Sequence, residues 1–148
     1  MQIKPMTDFD LEALQTLYQD VGWQAYLDDR SKFAKMFRQS ILVLGAKVDG
    51  QLVGLIRVVG DDAHIAYIQD LLVATAYQRK GVGRALLEAA LTAVSHVRQT
   101  VLITDANDLK ACRFYEAVGF KKANEAGVAC FVRFIAHGEH AGTEKNRV

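Results

Sequence analysis

One stretch of this chain, in which an apolar strand runs into a basic turn that opens a helix, constrains the fold most. The strand ends at Val73, and the helix starts at Gly81, with a second small residue at Gly83. The first backbone N–H groups of a helix lack acceptors within it, and small residues let a ligand approach them closely. Because Arg79 and Lys80 lie beside these groups, the sequence predicts a phosphate site here.

The β-rich segments predict a sheet that contains a tight hairpin. Asp49 and Gly50 separate two such runs, 41–48 and 51–59, and this dipeptide is typical of a primed two-residue turn. Further strands are predicted at residues 1–4, 63–73, 100–104 and 128–136, the strand at 100–104 being buried, and the chain from His137 onward is expected to be frayed.

Apolar residues at helical spacing predict four helices. Thr7 begins a sequence similar to a capping box, so the first helix is expected to start there. Phe33 and Phe37 indicate a short second helix, and the others are predicted at 81–96 and 107–118. The resulting order, βααβββαβαβ, predicts a mixed α/β sheet with helices on both faces.

Composition limits the class of protein. Residues 1–148 are 51% hydrophobic and include one proline, which predicts a single folded domain. The formal net charge of +1 argues against a nucleic-acid partner, and no apolar run is long enough to cross a bilayer. With two cysteines and no cluster of metal ligands, we expect a reduced, cytoplasmic protein without a metal site.

Two familiar phosphate loops are excluded by the residues of the turn. A nucleotide P-loop needs a lysine and a hydroxyl residue after its second glycine, and here Arg84 and Ala85 follow Gly83. A dinucleotide fingerprint needs a third glycine at the position of Leu86. The cations precede the glycines instead, which favours a compact pyrophosphate loop. A plain helix start with a solvated basic turn is the alternative.

Two motifs in the second half of the chain fit one family pattern. In the first, Val73 is followed by Gln78, Gly81 and Gly83; the second reads Asn107, Ala111, Phe114, Tyr115, Glu116, Gly119 and Phe120. Together they resemble the acyl-CoA-binding and downstream motifs of the GNAT superfamily of N-acetyltransferases. The resemblance covers nearly the whole chain and implies one GNAT domain whose central strands splay apart. It implies that coenzyme A is bound by Leu71, Val73, Gln78, Arg79, Lys80, Gly81, Val82, Gly83, Arg84, Asn107 and Phe114.

The resemblance also implies roles in acetyl transfer. The backbone of Leu71 and Val73 would pair with the pantetheine arm, and the N–H of Leu71 would stabilise the oxyanion. Tyr115 would donate a proton to the departing thiolate. Because Tyr115 shares a helix face with Phe114, a packing role in the core is the alternative. Many family members carry proline where this chain has Thr75, so we expect a less rigid turn.

The general base is not evident from the sequence. Several family members place a glutamate at positions that match Tyr67 or Gln69, and neither residue is a base at neutral pH. Asp70 is ionisable, but strand alternation turns it to the face opposite Gln69 unless a bulge re-aims it. A water relay and a purely structural pairing of Asp70 are the alternatives.

Candidates for the acceptor site are Trp23 and Tyr26, between the first two helices, with Tyr67 and Gln69. Packing of Trp23 and Tyr26 against the sheet is the alternative. We expect an enzyme that moves an acetyl group from acetyl-CoA to the primary amine of a small molecule or peptide in a ternary complex. A non-catalytic acyl-CoA sensor is the alternative, which the missing glutamate supports. The strand at 128–136 could pair across a two-fold axis in a homodimer.

Overall fold

The computed structural model describes residues 1–134, which form one sheet with helices on both of its faces. The predicted element order and mixed α/β class are confirmed as far as the last helix, while the expected frayed tail from His137 lies outside the described residues. The elements are β1 (Gln2–Pro5), α1 (Leu11–Asp20), α2 (Arg30–Arg38), β2 (Leu42–Val48), β3 (Gln51–Gly60), β4 (Ile65–Val73), α3 (Val82–Ala93), β5 (Gln99–Leu102) and α4 (Leu109–Ala117), with single 3₁₀ turns at Gln24–Tyr26 and Thr75–Tyr77.

The strands lie in the order β1-β2-β3-β4-β5. All neighbours are antiparallel except β4 and β5, which are parallel. Each face of the sheet carries its own apolar cluster, because successive residues of a strand point to opposite faces. Leu72 packs with the residues of α1 and α2, whereas Leu71 packs with those of α3 and α4. In the described part of the chain, no helix is long and apolar enough to span a membrane.

The hairpin between β2 and β3 confirms the turn prediction. Asp49 and Gly50 have φ values of +49° and +82°, as a primed turn requires. A second glycine, Gly54 in β3, sets the distance of α3 from the sheet. A Cβ atom there would lie 3.0 Å from Leu86 Cδ1 and 3.1 Å from Val82 Cγ1. The absence of a side chain at Gly54 therefore lets the start of α3 pack closely on β3.

Strands β4 and β5 pair only over their first halves. Ile65 to Ile68 lie opposite Gln99 to Leu102, and no further pairs of this ladder occur within residues 1–134. On its other side, β4 contains a bulge against β3, because Arg57 pairs with Asp70 while Val58 pairs with Ile68. Gln69 is the extra residue. The second half of β4 thus faces an opening in the sheet, which fits the predicted splaying.

The start of α1 and the burial of β5 differ from prediction. Helix α1 starts at Leu11 rather than after Thr7, because the Asp10 carboxylate accepts the N–H groups of Glu12 and Ala13 at 3.1 Å each. Strand β5 is only partly buried, with Val101 39% exposed, because it is the edge of the described sheet.

The predicted last strand is wrong over its described part. Residues 128–134 have no strand structure, and Phe131 is 93% exposed; residues 135–136 lie outside the described chain. The prediction rested on β-rich composition alone. A strand also needs a hydrogen-bonding neighbour, and composition does not supply one.

Candidate active site

The turn between β4 and α3 has an unusual backbone. After the 3₁₀ turn Thr75–Tyr77, Gln78 is extended, with φ −64° and ψ 153°. Arg79 and Gly81 then adopt left-handed conformations, with φ values of +58° and +84°. The left-handed conformation costs a residue with a Cβ atom on the order of 1 kcal/mol, so neighbouring contacts must hold Arg79 in place.

Helix α3 begins with open donors. Gly81 is its N-cap, and no side chain among the described residues caps it. The first intrahelical bond runs from the Ala85 N–H to the Gly81 carbonyl at 3.0 Å. The N–H groups of Val82, Gly83 and Arg84 therefore have no acceptor inside the helix. Together with the helix dipole, they form an anion-binding end directed at the turn.

A cavity of about 930 Å³ lies against this end of α3. One wall is the basic turn, and the other is the start of α4, so two separate motifs meet at the same space. Three cationic side chains and one carboxylate line it, which leaves an excess of positive charge. Its size suits a cofactor of nucleotide dimensions. The lining residues are Gln78, Arg79, Gly81, Gly83, Arg84, Asp108, Lys110, Ala111 and Phe114.

Lys110 and Asp108 belong to this cavity, although sequence reasoning did not place them there. Asp108 is the N-cap of α4 and accepts the N–H groups of Lys110 and Ala111 at 3.1 and 3.0 Å. The sequence feature that could have placed Lys110 at the cavity is its position on the same helix as Phe114, one turn earlier. The two walls meet only in three dimensions, so spacing within one motif did not reveal this third cation.

Five predicted cofactor residues do not line the cavity, namely Leu71 and Val73 on β4 together with Lys80, Val82 and Asn107. Lys80 is exposed and lies over the Tyr77 ring, 5.3 Å from its centroid. Val82 is buried in the core beneath α3. Asn107 is exposed, and its backbone N–H is bound by the Asp105 carboxylate at 2.9 Å. The cavity alone therefore supports contacts from Gln78, Arg79, Gly81, Gly83, Arg84 and Phe114.

The strand residues predicted to pair with pantetheine lie along the opening in the sheet. Leu71 and Val73 are buried and stand opposite Ile56 and Gly54 of β3. The Gln78 side-chain amide donates to the Val73 carbonyl at 3.0 Å. Gln78 thus ties the basic turn to the end of β4, which fixes the cavity relative to the opening.

The bulge at Gln69 corrects the predicted side-chain directions on β4. Strict alternation puts Gln69 and Asp70 on opposite faces. Instead, both contact the Tyr26 hydroxyl, which donates to Asp70 Oδ1 at 2.6 Å and accepts from Gln69 Nε2 at 3.0 Å. The extra residue shifts the alternation by one, so both side chains lie on the face covered by α1 and α2.

Asp70 is buried in a network of charged and phenolic groups. It is 0% exposed and forms an ion pair with Arg57, which is 5% exposed. The Tyr18 hydroxyl donates to the same carboxylate at 2.9 Å. Burial, reinforced by the Asp70 charge, raises the pKa of both Tyr18 and Tyr26. The Arg57 charge neutralises the Asp70 carboxylate, and the carboxylate has no exposed surface that an amine could contact. This arrangement agrees with the alternative that Asp70 forms a purely structural pair.

The predicted acceptor aromatics occupy different environments. Trp23 is 1% exposed and packs in the cluster beneath α1 and α2, stacked on Tyr26 at 5.7 Å between ring centroids. Tyr26 is half-buried with its hydroxyl at the bulge, and Tyr67 is half-buried on β4. Burial, followed by the Asp70 charge, raises the pKa of Tyr67. Tyr26 and Gln69 are therefore in contact, Tyr67 lies within range of the Asp70 charge, and Trp23 packs against Tyr26 in the core.

Tyr115 is 3% exposed in the core beneath α4, where its ring makes edge contacts with Phe114 and Phe120. Its hydroxyl oxygen is enclosed as well. Since Phe114 lines the cavity, Tyr115 lies directly behind the cavity wall. Its proton-donor role stays a prediction.

Within residues 1–134, no group of three or more His, Cys, Asp or Glu side chains is arranged to hold a metal ion.

Comparison with known proteins gives one consistent result. The model of the acetyltransferase (GNAT) family matches residues 8–120. Histone acetyltransferase TAP1 from Glycine max is 32% identical over 125 residues, covering 77% of this chain and 53% of that protein. The chain thus spans about half the length of this curated relative.

Solved structures agree with the family model. A GNAT family acetyltransferase, SP0256 from Streptococcus pneumoniae TIGR4, has a TM-score of 0.80 and 30% identity, covering 93% of this chain and 98% of its own. The ribosomal-protein-S18-alanine N-acetyltransferase from Escherichia coli has a TM-score of 0.72 and 26% identity, covering 82% and 78%.

Proposed function

The chain belongs to the GNAT acetyltransferase family, and we propose that it transfers an acetyl group from acetyl-CoA to a primary amine by direct attack. The observation that carries this proposal is the basic cavity between the turn and α4, at the end of the opening in the sheet. A cofactor with phosphates at one end and a long arm at the other fits both features together.

Acetyl-CoA would be bound both at its phosphates and along its pantetheine arm. The open N–H groups at the start of α3, with Arg79 and Arg84, would bind the pyrophosphate, and Lys110 would add a charge from the opposite wall. The pantetheine arm would then enter the opening beside Leu71, where β5 no longer pairs with β4.

The transfer requires stabilisation of the developing oxyanion and a proton for the departing thiolate. The amine nitrogen attacks the thioester carbonyl, and the developing oxyanion would be stabilised by the N–H of Leu71. The carbon–sulfur bond then breaks, and Tyr115 would supply the proton that the thiolate takes up. Tyr115 and Leu71 belong to the same buried cluster, which supports this role, since the thioester would lie beside Leu71.

Loss of the proton from the acceptor ammonium would proceed through water. Asp70 is enclosed and paired with Arg57, so direct contact with an amine is disfavoured. Tyr26 and Gln69 present a hydrogen-bonded pair at the bulge, next to the opening. These groups would orient the amine, or a water bound to it, while the proton leaves to solvent.

We favour the amine of a peptide or protein as the acceptor. Two proteins similar to this chain are named as acetyltransferases of histones and of a ribosomal-protein alanine. Because the charge of Asp70 is paired with that of Arg57, the acceptor wall carries no net buried negative charge. A net negative charge there would favour a small polycation as the acceptor.

A thiol-release assay with saturating acetyl-CoA tests the proposal. The panel contains an alanine-terminated peptide, a lysine peptide with a blocked N-terminus, and an aminoglycoside. We expect turnover with a peptide amine and a lower kcat in Tyr115→Phe, at least about tenfold, with little change in the KM for acetyl-CoA. Tight binding of acetyl-CoA without turnover on any acceptor would favour the sensor alternative, and absence of binding would contradict both.

A further inference from the structure

The turn that carries the basic residues is anchored to the end of α1. Asp20 is the last residue of α1, and Thr75 is the first residue of the 3₁₀ turn. The Thr75 N–H donates to Asp20 Oδ2 at 2.6 Å, and the Thr75 hydroxyl donates to the Asp20 carbonyl at 3.3 Å. These bonds join segments 55 residues apart in sequence, so they fix the turn against a separate helix.

The backbone at this point has the geometry that proline prefers. Ala74 has φ −49° and ψ 137°, the extended conformation favoured before proline. Thr75 occupies the first position of a helical turn, where proline fits best because the N–H is not needed inside the helix. In this chain that N–H is present, and Asp20 binds it.

We propose that Asp20 is a positioning residue for the cofactor turn, with its hydrogen bonds to Thr75 supplying the rigidity that a proline ring would supply there. The proposal rests on the proposed binding of coenzyme A by that turn. Arg79 lines the cavity from a left-handed backbone conformation, and such a conformation persists when the surrounding structure holds it. Loosening Thr75 would therefore lower the fraction of molecules in which the cavity is ready to bind.

The negative charge of Asp20 and a positioning role predict opposite effects of its removal on the binding of coenzyme A. Asp20 is an exposed negative group at the end of α1, in contact with the turn, and coenzyme A is a polyanion. Removal of Asp20 would therefore strengthen binding if its long-range field were all that mattered. A positioning role predicts that removal weakens binding.

The experiment measures the dissociation constant of coenzyme A by calorimetry, together with the melting temperature, in four variants. Asp20→Ala removes the carboxylate that accepts the Thr75 N–H, and Thr75→Pro removes both that N–H and the hydroxyl while its ring fixes φ. The double variant combines the two changes. Glu12→Ala, at the exposed first turn of the same helix, is the control for loss of one negative charge. In Thr75→Pro we expect the Asp20 side chain, which is exposed, to rotate away from the proline ring.

We expect Asp20→Ala to weaken binding about three- to tenfold, the range for loss of one hydrogen bond, because the bond from the Thr75 hydroxyl to the backbone carbonyl of residue 20 is retained. Glu12→Ala and Thr75→Pro should bind as the wild type does, and Asp20→Ala should have no further effect when Thr75 is proline. Unchanged or tighter binding in Asp20→Ala would overturn the proposal, as would an equal loss in the proline background. Failure of the wild type to bind coenzyme A would contradict the proposed function itself, and the positioning role with it.

Discussion

Replacing Asp70 by asparagine is expected to destabilise the protein severely. The carboxylate is fully buried and accepts hydrogen bonds from Arg57, Tyr18 and Tyr26. Asparagine keeps the shape and one acceptor oxygen but leaves the Arg57 guanidinium, 6% exposed at its side chain, without a counter-charge. Removing one partner of a buried ion pair costs about 3–5 kcal/mol. Because neither side chain reaches solvent, we expect a loss of that size.

The free energy of unfolding is measured by urea denaturation followed by circular dichroism. For a chain of this length, such a loss corresponds to a fall in melting temperature of roughly 10 °C. The control is Arg57→Met with Asp70→Asn, which removes both charges and leaves an acceptor for the tyrosines. It should recover a large part of the loss.

Two results would refute this reasoning. One is an Asp70→Asn variant within about 1 kcal/mol of the wild type, the range of an exposed ion pair. The other is a double variant that loses the sum of the two single losses, because independent sites add and a coupled pair does not.

Three further predictions concern titration and the acceptor wall. Since the pKa of Tyr18 is raised on folding, its stabilising effect is complete below about pH 10 and is lost as the pH rises further; Tyr18→Phe should flatten the alkaline fall of the free energy of unfolding. Hydrogen bonds from the backbone N–H groups of Ile65, Ala63 and His64 lower the pKa of Asp61 to about 2. Stability from Asp61 is therefore present above about pH 4 and is lost as the pH falls through 2, and Asp61→Asn should abolish that acid dependence in unfolding experiments. Tyr26→Phe should raise the acceptor KM severalfold while coenzyme A binds as before, and an unchanged acceptor KM would remove Tyr26 from the acceptor site.

Features set by neighbouring residues could be predicted from the sequence. The Asp49-Gly50 turn is local chemistry, and it was predicted at the correct residues. The start of α3 at Gly81 also follows from residues within one turn of the helix. Such features need no knowledge of what lies across the sheet.

Features set by distant partners could not be predicted. The partner of Asp70 is Arg57 on the adjacent strand, and the bulge that turns Gln69 to the same face depends on the pairing of β3 with β4. Lys110 reaches the basic cavity only because the starts of α3 and α4 both line it. The strand predicted at residues 128–136 is wrong over its described part for a related reason, since a β-rich composition does not supply a pairing neighbour.

Binding of coenzyme A to the basic cavity is the central claim, and calorimetry of two variants tests it most directly. Arg79→Gln with Arg84→Gln removes two of the three cations that line the cavity, while Arg98→Gln removes an exposed arginine outside its lining. We predict that the double variant binds coenzyme A at least about tenfold more weakly than the wild type, because hydrogen bonds between charged groups are lost, and that Arg98→Gln binds unchanged. Equal affinity in the wild type and the double variant would show that the cofactor phosphates do not lie in this cavity.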